Sequence, residues 1–200
     1  LITTQTEHQA TLSTLKSLEE EGFSITLLPV KKDGLLDLAL LESTIKEDTI
    51  IFSIAGVNNE IGVIQDLRAI SALCKKHGVL LHVDAAQCIG KVRIDLKETP
   101  IDLMSFSAHK CYGPKGIGAL YCKKQLKLQP IMFGGQQQSS TRPGTIPLML
   151  IVAMGKAWEL ANKRFDKEYK KIKEMQTFIK DNLHEDIIIH GSTKNRVAHN

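Results

Sequence analysis

Ser105-Phe106-Ser107-Ala108-His109-Lys110-Cys111-Tyr112-Gly113-Pro114-Lys115-Gly116 follows a short apolar run, Ile101 to Met104. The run reads as a buried strand. The small polar residues, the His-Lys pair and the glycine- and proline-studded loop read as that strand emptying into a turn. Turns at strand ends are where α/β proteins hold their chemistry. A lysine kept there, rather than on a solvated face, is a candidate Schiff-base former. A second apolar run, Val79-Leu80-Leu81-His82-Val83-Asp84, ends on an acid in the same manner.

Around these two runs, strand-like and helix-like segments alternate with short loops, the pattern of a mostly parallel sheet covered by helices. Leu1-Ile2-Thr3-Thr4 reads as the end of a strand. Thr6-Glu7-His8-Gln9 has the capping-box pattern and opens a helix with Leu12, Leu15 and Leu18 on one face, ended by Gly22. Phe23 to Val30 reads as a strand and Lys31 to Gly34 as a turn. Asp37 caps a short helix carrying Leu38, Leu41 and Ile45, and Thr49 to Ile54 is a buried strand. Asp66 caps a helix with Leu67, Ile70 and Cys74 inward, ended by Gly78. Gly118 to Cys122 reads as a strand returning across the sheet. Pro130 to Pro147 is a long loop rich in Gly, Gln and Ser, a length that points to function or mobility. A long amphipathic helix runs from Leu148 to about Leu183, with Ile151, Met154, Trp158, Ala161, Phe165 and Ile172 on its apolar stripe. Its length predicts a connector between domains, with a strand at Asp186 to His190.

Hydrophobic content of 42% and charged content of 24% are ordinary for a globular chain of 200 residues. The net charge of +4 comes from scattered lysines, among them Lys167, Lys170, Lys171 and Lys173, which read as a solvated helix face. No alternation of basic and aromatic residues points to nucleic acid, and no apolar stretch has the length to span a membrane. Cys74, Cys88, Cys111 and Cys122 show no CxxC and no metal-ligand spacing. Free thiols in a reducing compartment, with no metal site, are the expectation. The chain opens without Met and stops without a terminating pattern, which reads as a fragment.

Each candidate has a bland reading by itself. A loop lysine is usually a surface lysine, Asp84 can cap the next turn, and a histidine in a helix's first turn is tolerated. Asn58-Asn59-Glu60-Ile61-Gly62 can be a plain turn. Their joint placement is more telling. The strands before Asp84 and Lys110, and the loop after Ile54, each deliver residues to the carboxyl edge of one sheet, where open α/β folds bind ligands. A helix starting near His8 points its positive end at that edge. A Schiff-base lysine and an acid facing a pyridinium nitrogen are the two protein groups that pyridoxal 5′-phosphate needs.

His82-Val83-Asp84-Ala85-Ala86-Gln87, Ser105-Phe106-Ser107-Ala108-His109-Lys110 and Tyr112 to Tyr121 resemble the class V aminotransferase family of fold-type I pyridoxal-phosphate enzymes. Thr6-Glu7-His8 and Val57-Asn58-Asn59-Glu60-Ile61-Gly62 narrow the resemblance to cysteine desulfurases of the iron–sulfur-cluster assembly type. It covers essentially the whole stretch. It implies an α/β large domain over 1–147 lacking its N-terminal part, a connecting helix over 148–183, and the start of a small α+β domain over 184–200.

By the same resemblance, Lys110 forms the Schiff base and shuttles the substrate Cα proton, and Asp84 keeps the pyridine nitrogen protonated. His8 stacks on the ring and takes part in proton transfer. Gln87 hydrogen-bonds the phenolic oxygen, and Asn59 lies near that oxygen and the substrate carboxylate. Ser107 and His109 hold the phosphate, and Thr145 reaches the phosphate of a neighbouring subunit, which implies a homodimer. Hydroxyl and imidazole donors suit a phosphate dianion, and a carboxylate beside a pyridinium stabilises its charge.

The implied reaction converts L-cysteine to L-alanine and passes sulfur as a persulfide to an acceptor, with an iron–sulfur scaffold protein as partner. The expected compartment is the bacterial cytoplasm, with the mitochondrial matrix as the alternative. Some features depart from the family's pattern. The stretch has no Gly-Thr phosphate loop, and the family's nucleophilic cysteine is expected beyond Asn200, which leaves Cys111 as a packing residue. Gly134-Gly135-Gln136-Gln137-Gln138-Ser139-Ser140-Thr141-Arg142 stands where the family usually has an acidic and a basic residue, at Gln138 and Ser139. Another class V enzyme (an aminotransferase or a selenocysteine lyase) and a non-catalytic scaffold are the alternatives. The Asn58 to Gly62 run favours the desulfurase, and joint retention of Lys110, Asp84, His8 and Gln87 argues against a scaffold.

Overall fold

The computed structural model describes residues Leu1–Asn200. Six strands, β1 (Ile2–Thr4), β2 (Thr26–Leu28), β3 (Ile51–Ala55), β4 (Leu80–Asp84), β5 (Leu103–Ser107) and β6 (Gly118–Cys122), form one sheet in the order β2-β1-β3-β4-β5-β6. The first five run parallel and β6 returns antiparallel to β5. Helices α1 (Gln9–Glu20), α2 (Leu38–Thr44) and α3 (Leu67–Lys76) lie between the parallel strands in sequence, and α4 (Leu148–Asp181) follows the sheet. The chain is therefore an α/β protein with a mostly parallel sheet flanked by helices.

Phe52, Ile54, Leu81 and Val83 are buried to within 1% of completely. Phe52 and Ile54 share one face of β3, and Ser53 on the opposite face is buried as well, so the strand is covered on both faces. Around them pack Ile70 and Cys74 of α3, Leu41 of α2 and Met104 of β5, forming one continuous core. Helix starts follow their caps. Asp37 accepts from the N–H groups of Ala39 (3.0 Å) and Leu40 (3.2 Å), and Asp66 from that of Ala69 (3.0 Å).

Three expectations are corrected. Thr6 does not cap α1; His8 does, its Nδ1 accepting from the Ala10 N–H at 3.1 Å. Thr6 instead lies in the preceding turn, 3.2 Å from the Thr4 hydroxyl. The strand expected over 23–30 is only Thr26–Leu28, because β2 is an edge strand paired solely with the three residues of β1. Residues 186–190 form no strand. Ile187 and Ile188 lie exposed with no ladder beside them, and the chain then returns to the sheet's loops. There Ile64 N–H donates to Asn195 O and Val197 N–H to Gly62 O, both at 2.9 Å, and Val197 enters the core.

The connections diverge at β1: β2 lies on one side of it, while β3, β4 and β5 lie on the other. This is a topological switch point, where the loops at the carboxyl edge part to leave a crevice. Asn58 bridges it, donating from Nδ2 to Thr6 O at 3.1 Å. Beyond β5, a Cβ at Gly118 would stand 2.4 Å from Phe106 O, so β6 can start beside β5 only on glycine. An edge-to-face contact of Phe106 with Trp158, 5.2 Å between ring centres, fastens α4 to β5. In the altered loop, Gln138, Ser139 and Ser140 all have left-handed backbones, φ 49, 56 and 64°. Glycine would occupy such a conformation without the steric cost these side chains carry.

Phe52 lies at the centre of this packing. Phe52→Ala is expected to destabilise the protein by about 3–5 kcal/mol, and Phe23→Ala, at a half-exposed position, by much less. Urea denaturation midpoints of the two variants check this.

Candidate active site

Strand pairing sets the heights of the edge residues. Ala55 lies opposite Asp84, and Asp84 opposite Ser105, so β3, β4 and β5 end side by side. Asp84 closes β4. Its Oδ1 accepts from the Ala86 N–H at 2.9 Å, and its carbonyl accepts from the Gly56 N–H at 2.9 Å. Gly56 is needed for this approach, since a Cβ there would meet Cys88 Sγ at 2.8 Å. Gln87 follows in the same turn, its side-chain oxygen taken by the Lys91 ammonium.

Beyond β5, Ser107 and Ala108 lead into a single 3₁₀ turn, His109–Cys111, that carries Lys110. The Ala108 carbonyl anchors it, accepting from Cys111 N–H (3.1 Å), Gly113 N–H (3.0 Å) and the buried Cys111 thiol (3.1 Å). Tyr112 takes a left-handed backbone, φ 63°, to turn the chain back toward β6. Lys110 is half-buried and forms no ion pair in the chain. His8 stands where β1 gives way to α1, with Nδ1 occupied by the cap and Nε2 free.

Asp84, Gln87, Ser107, His109 and Lys110 thus share the edge of β4 and β5, and His8 and Asn59 lie on the loops after β1 and β3. Asn59 is exposed and donates to Glu60 Oε1 at 2.7 Å; Asn58, its neighbour, is the residue that braces the loop. Thr145 is exposed in the loop before α4, and no hydrogen bond ties it to the other candidates.

Two ionisable groups at this edge escaped the reading of the sequence. Glu7 is 7% exposed; its Oε1 accepts from the Thr4 hydroxyl at 2.7 Å, while its Oε2 has no partner. Burial pushes its carboxyl above the usual carboxylate range. The Thr4 hydroxyl and the nearby Ala55 backbone oppose this, and the Asp84 charge adds to it. In the capping pattern Glu7 looks like a solvated first-turn acid, and no local signal marks it as buried. Lys91 is half-buried with its ammonium held below the usual lysine range, first by burial and then by the positive charge of Lys110.

Three of the four thiols, Cys74, Cys88 and Cys111, are buried and held protonated. Burial, and secondarily the Asp84 charge, pushes Cys88 up to about 12; burial, then Asp102, pushes Cys74 up to about 11. Burial raises Cys111 too, in keeping with a packing role.

The donor set bears on what the edge can hold. Ser107 and His109 offer a hydroxyl and an imidazole, Gln87 an amide N–H, Lys110 a primary amine and Asp84 a carboxylate oxygen. None of these is used up within the chain. Anion donors at the end of β5 and in the turn after it, an acceptor carboxylate on β4 and an amine in the same turn fit a ligand bearing a phosphate and a protonated ring nitrogen.

A mostly parallel sheet with an acid and a lysine at the carboxyl ends of neighbouring strands defines the class: an open α/β fold built to bind at its switch-point edge. The family model "Aminotransferase class-V" matches residues 1–196, and the chain belongs to that family. It is 47% identical over 204 aligned residues to a protein of Methylococcus capsulatus named cysteine desulfurase IscS, covering 100% of this chain and 51% of that one. Among solved structures, a NifS-like protein superposes with a TM-score of 0.91 at 36% identity, covering 98% of this chain and 55% of its own. A structure titled "SspA in complex with cysteine" superposes with a TM-score of 0.77 at 41% identity, covering 79% of this chain and 46% of that one. The chain spans about half the length of the curated relatives it matches. No helix is long and apolar enough to cross a membrane.

Glu7 supplies a pH test. Its folded carboxyl holds a proton more tightly than the unfolded one, so its contribution is complete below the usual carboxylate range and is lost as pH rises through and above it. Glu7→Gln cannot ionise and is expected to flatten this loss, making the variant more stable relative to wild type at pH 7.5 than at pH 4. Denaturation midpoints of both proteins across that range check it.

Proposed function

We propose that the complete protein is a pyridoxal 5′-phosphate-dependent cysteine desulfurase. It would convert L-cysteine to L-alanine and pass the sulfur as a persulfide to an acceptor for iron–sulfur cluster assembly. The observation that carries this reading is the pairing of Asp84 and Lys110 at the ends of adjacent strands, each with a polar atom unused in the chain. Family membership, the name of the Methylococcus relative and the cysteine complex of the SspA relative support it.

When bound, the cofactor supplies an electron-withdrawing ring that weakens the bonds at the substrate's Cα. The chain's own residues then have distinct tasks. Lys110 holds the cofactor through its amine and carries the Cα proton on Nζ, for which it must be neutral. Asp84 keeps a proton on the ring nitrogen through its carboxylate. His8 covers the ring and relays protons through Nε2, the nitrogen its capping bond leaves free. Gln87 donates to the phenolic oxygen, and Asn59 serves that oxygen and the substrate carboxylate. Ser107 and His109 take the phosphate, joined by Thr145 from a second copy of the chain, so the active unit is a homodimer.

None of the four thiols suits the sulfur-receiving role, Cys74, Cys88 and Cys111 being buried with burial holding them protonated and Cys122 lying on the returning strand. We assign that role to a cysteine elsewhere in the protein, with a cluster scaffold protein as the next acceptor. In this reading 1–147 forms the cofactor unit, 148–183 the connecting helix and 184–200 the opening of a smaller unit. The bacterial cytoplasm is the proposed compartment, with the mitochondrial matrix as the alternative.

Full-length protein given L-cysteine and a thiol reductant is expected to release alanine and sulfide in equal amounts. Lys110→Ala and Asp84→Asn should each lower the rate by about 10²–10⁴-fold. Amino transfer to a keto acid without sulfide would identify a different class V enzyme, and neither product would leave the scaffold reading.

A further inference from the structure

Lys91 lies in the turn after β4, four residues beyond Gln87, and its Nζ donates to Gln87 Oε1. It forms no ion pair with any carboxylate. Around it stand Cys88 of its own turn, Lys110 and Cys111 of the 3₁₀ turn, and His199 of the C-terminal segment. The ammonium is thus half-buried beside a second cation, an arrangement that costs energy and has no carboxylate to offset it.

The hydrogen bond settles which way the amide of Gln87 faces. An ammonium has three donors and no acceptor, so only the amide oxygen can meet it. The two N–H groups of Nε2 therefore point away from Lys91, and no acceptor in the chain receives them. A half-buried amide with a spent oxygen and unspent donors is prepared for an acceptor on a ligand. A cation on the oxygen also polarises the amide and strengthens the opposite N–H donors.

We propose that Lys91 is a positioning residue for the bound cofactor that acts through Gln87. Its ammonium takes the amide oxygen, turning and polarising the N–H groups toward the cofactor's phenolic oxygen. This rests on the pyridoxal-phosphate reading above and on the role given there to Gln87. A glutamine alone can present either end of its amide; Lys91 removes that choice.

A double-mutant cycle on the full-length protein tests it, read by the dissociation constant for pyridoxal 5′-phosphate and by the absorbance maximum of the bound cofactor. Lys91→Met and Gln87→Leu should each weaken binding by about 10–100-fold, the range for one charge-assisted hydrogen bond. Both should move the absorbance maximum in the same direction. In the Gln87→Leu background, Lys91→Met should change affinity by less than about twofold, because its route to the cofactor is already gone. Lys91→Arg, still a donor-only cation, should restore most of the affinity and the absorbance maximum. If Lys91→Met does not fold, as judged by melting of the cofactor-free protein, Lys91→Ala takes its place in the cycle. Additive losses in the double variant, or a Lys91→Met protein matching wild type in both readouts, would overturn the proposal while leaving the cofactor reading intact. A wild-type protein that binds no pyridoxal phosphate would overturn both.

Discussion

Parallel pairing of β1, β3, β4 and β5 is the constraint from which the rest of this structure follows. Parallel strands all finish at the same edge, and their ladder fixes how far each reaches. Ala55, Asp84 and Ser105 are held in one row by it. The register is protected by burial. Leu81 and Val83 enter the core while His82 and Asp84 remain half-buried, so a slip of one residue would drive His82 and Asp84 into the core in their place. The packing of Phe52, Ile54, Leu81 and Val83 thus places Asp84 as surely as any contact Asp84 makes itself.

At the edge so formed, charge is assembled rather than neutralised. Glu7, Asp84, Lys91 and Lys110 gather there, yet no ion pair joins them. A protein selected only for stability would pair or remove such groups. Here neutral partners engage them singly: the Ala86 N–H occupies one oxygen of Asp84, the Thr4 hydroxyl one oxygen of Glu7, and the Gln87 amide the ammonium of Lys91. Each retains capacity for an external partner, which is what a site for a charged, flat cofactor requires.

Much of this was legible from residue pattern. Asp37 and Asp66 announce helix starts, apolar runs ending in Asp84 and Ser107 announce strands, and Gly118 marks the return of β6. The family motifs assigned tasks to individual edge residues. What could not be read depends on neighbours distant in sequence. β2 is short because an edge strand can extend only as far as β1 pairs with it. Residues 186–190 have strand-like composition but no ladder to join. Glu7 fits a capping pattern that predicts solvent, and only folding of β1 against β3 buries it. Lys91 looks like any surface lysine until the turn carrying Lys110 closes beside it. Sequence periodicity reports which face of an element is apolar, but it carries no information on which charges end up together.

In the proposed function, this edge holds pyridoxal 5′-phosphate on Lys110. Borohydride reduction of the full-length protein as purified, followed by proteolysis and mass spectrometry, tests it most directly, because reduction fixes a lysine-bound cofactor to the residue that holds it. A phosphopyridoxyl group on the peptide containing Lys110, and on no other, is the expected result. A label on another lysine, Lys91 included, or no label at all, would contradict it.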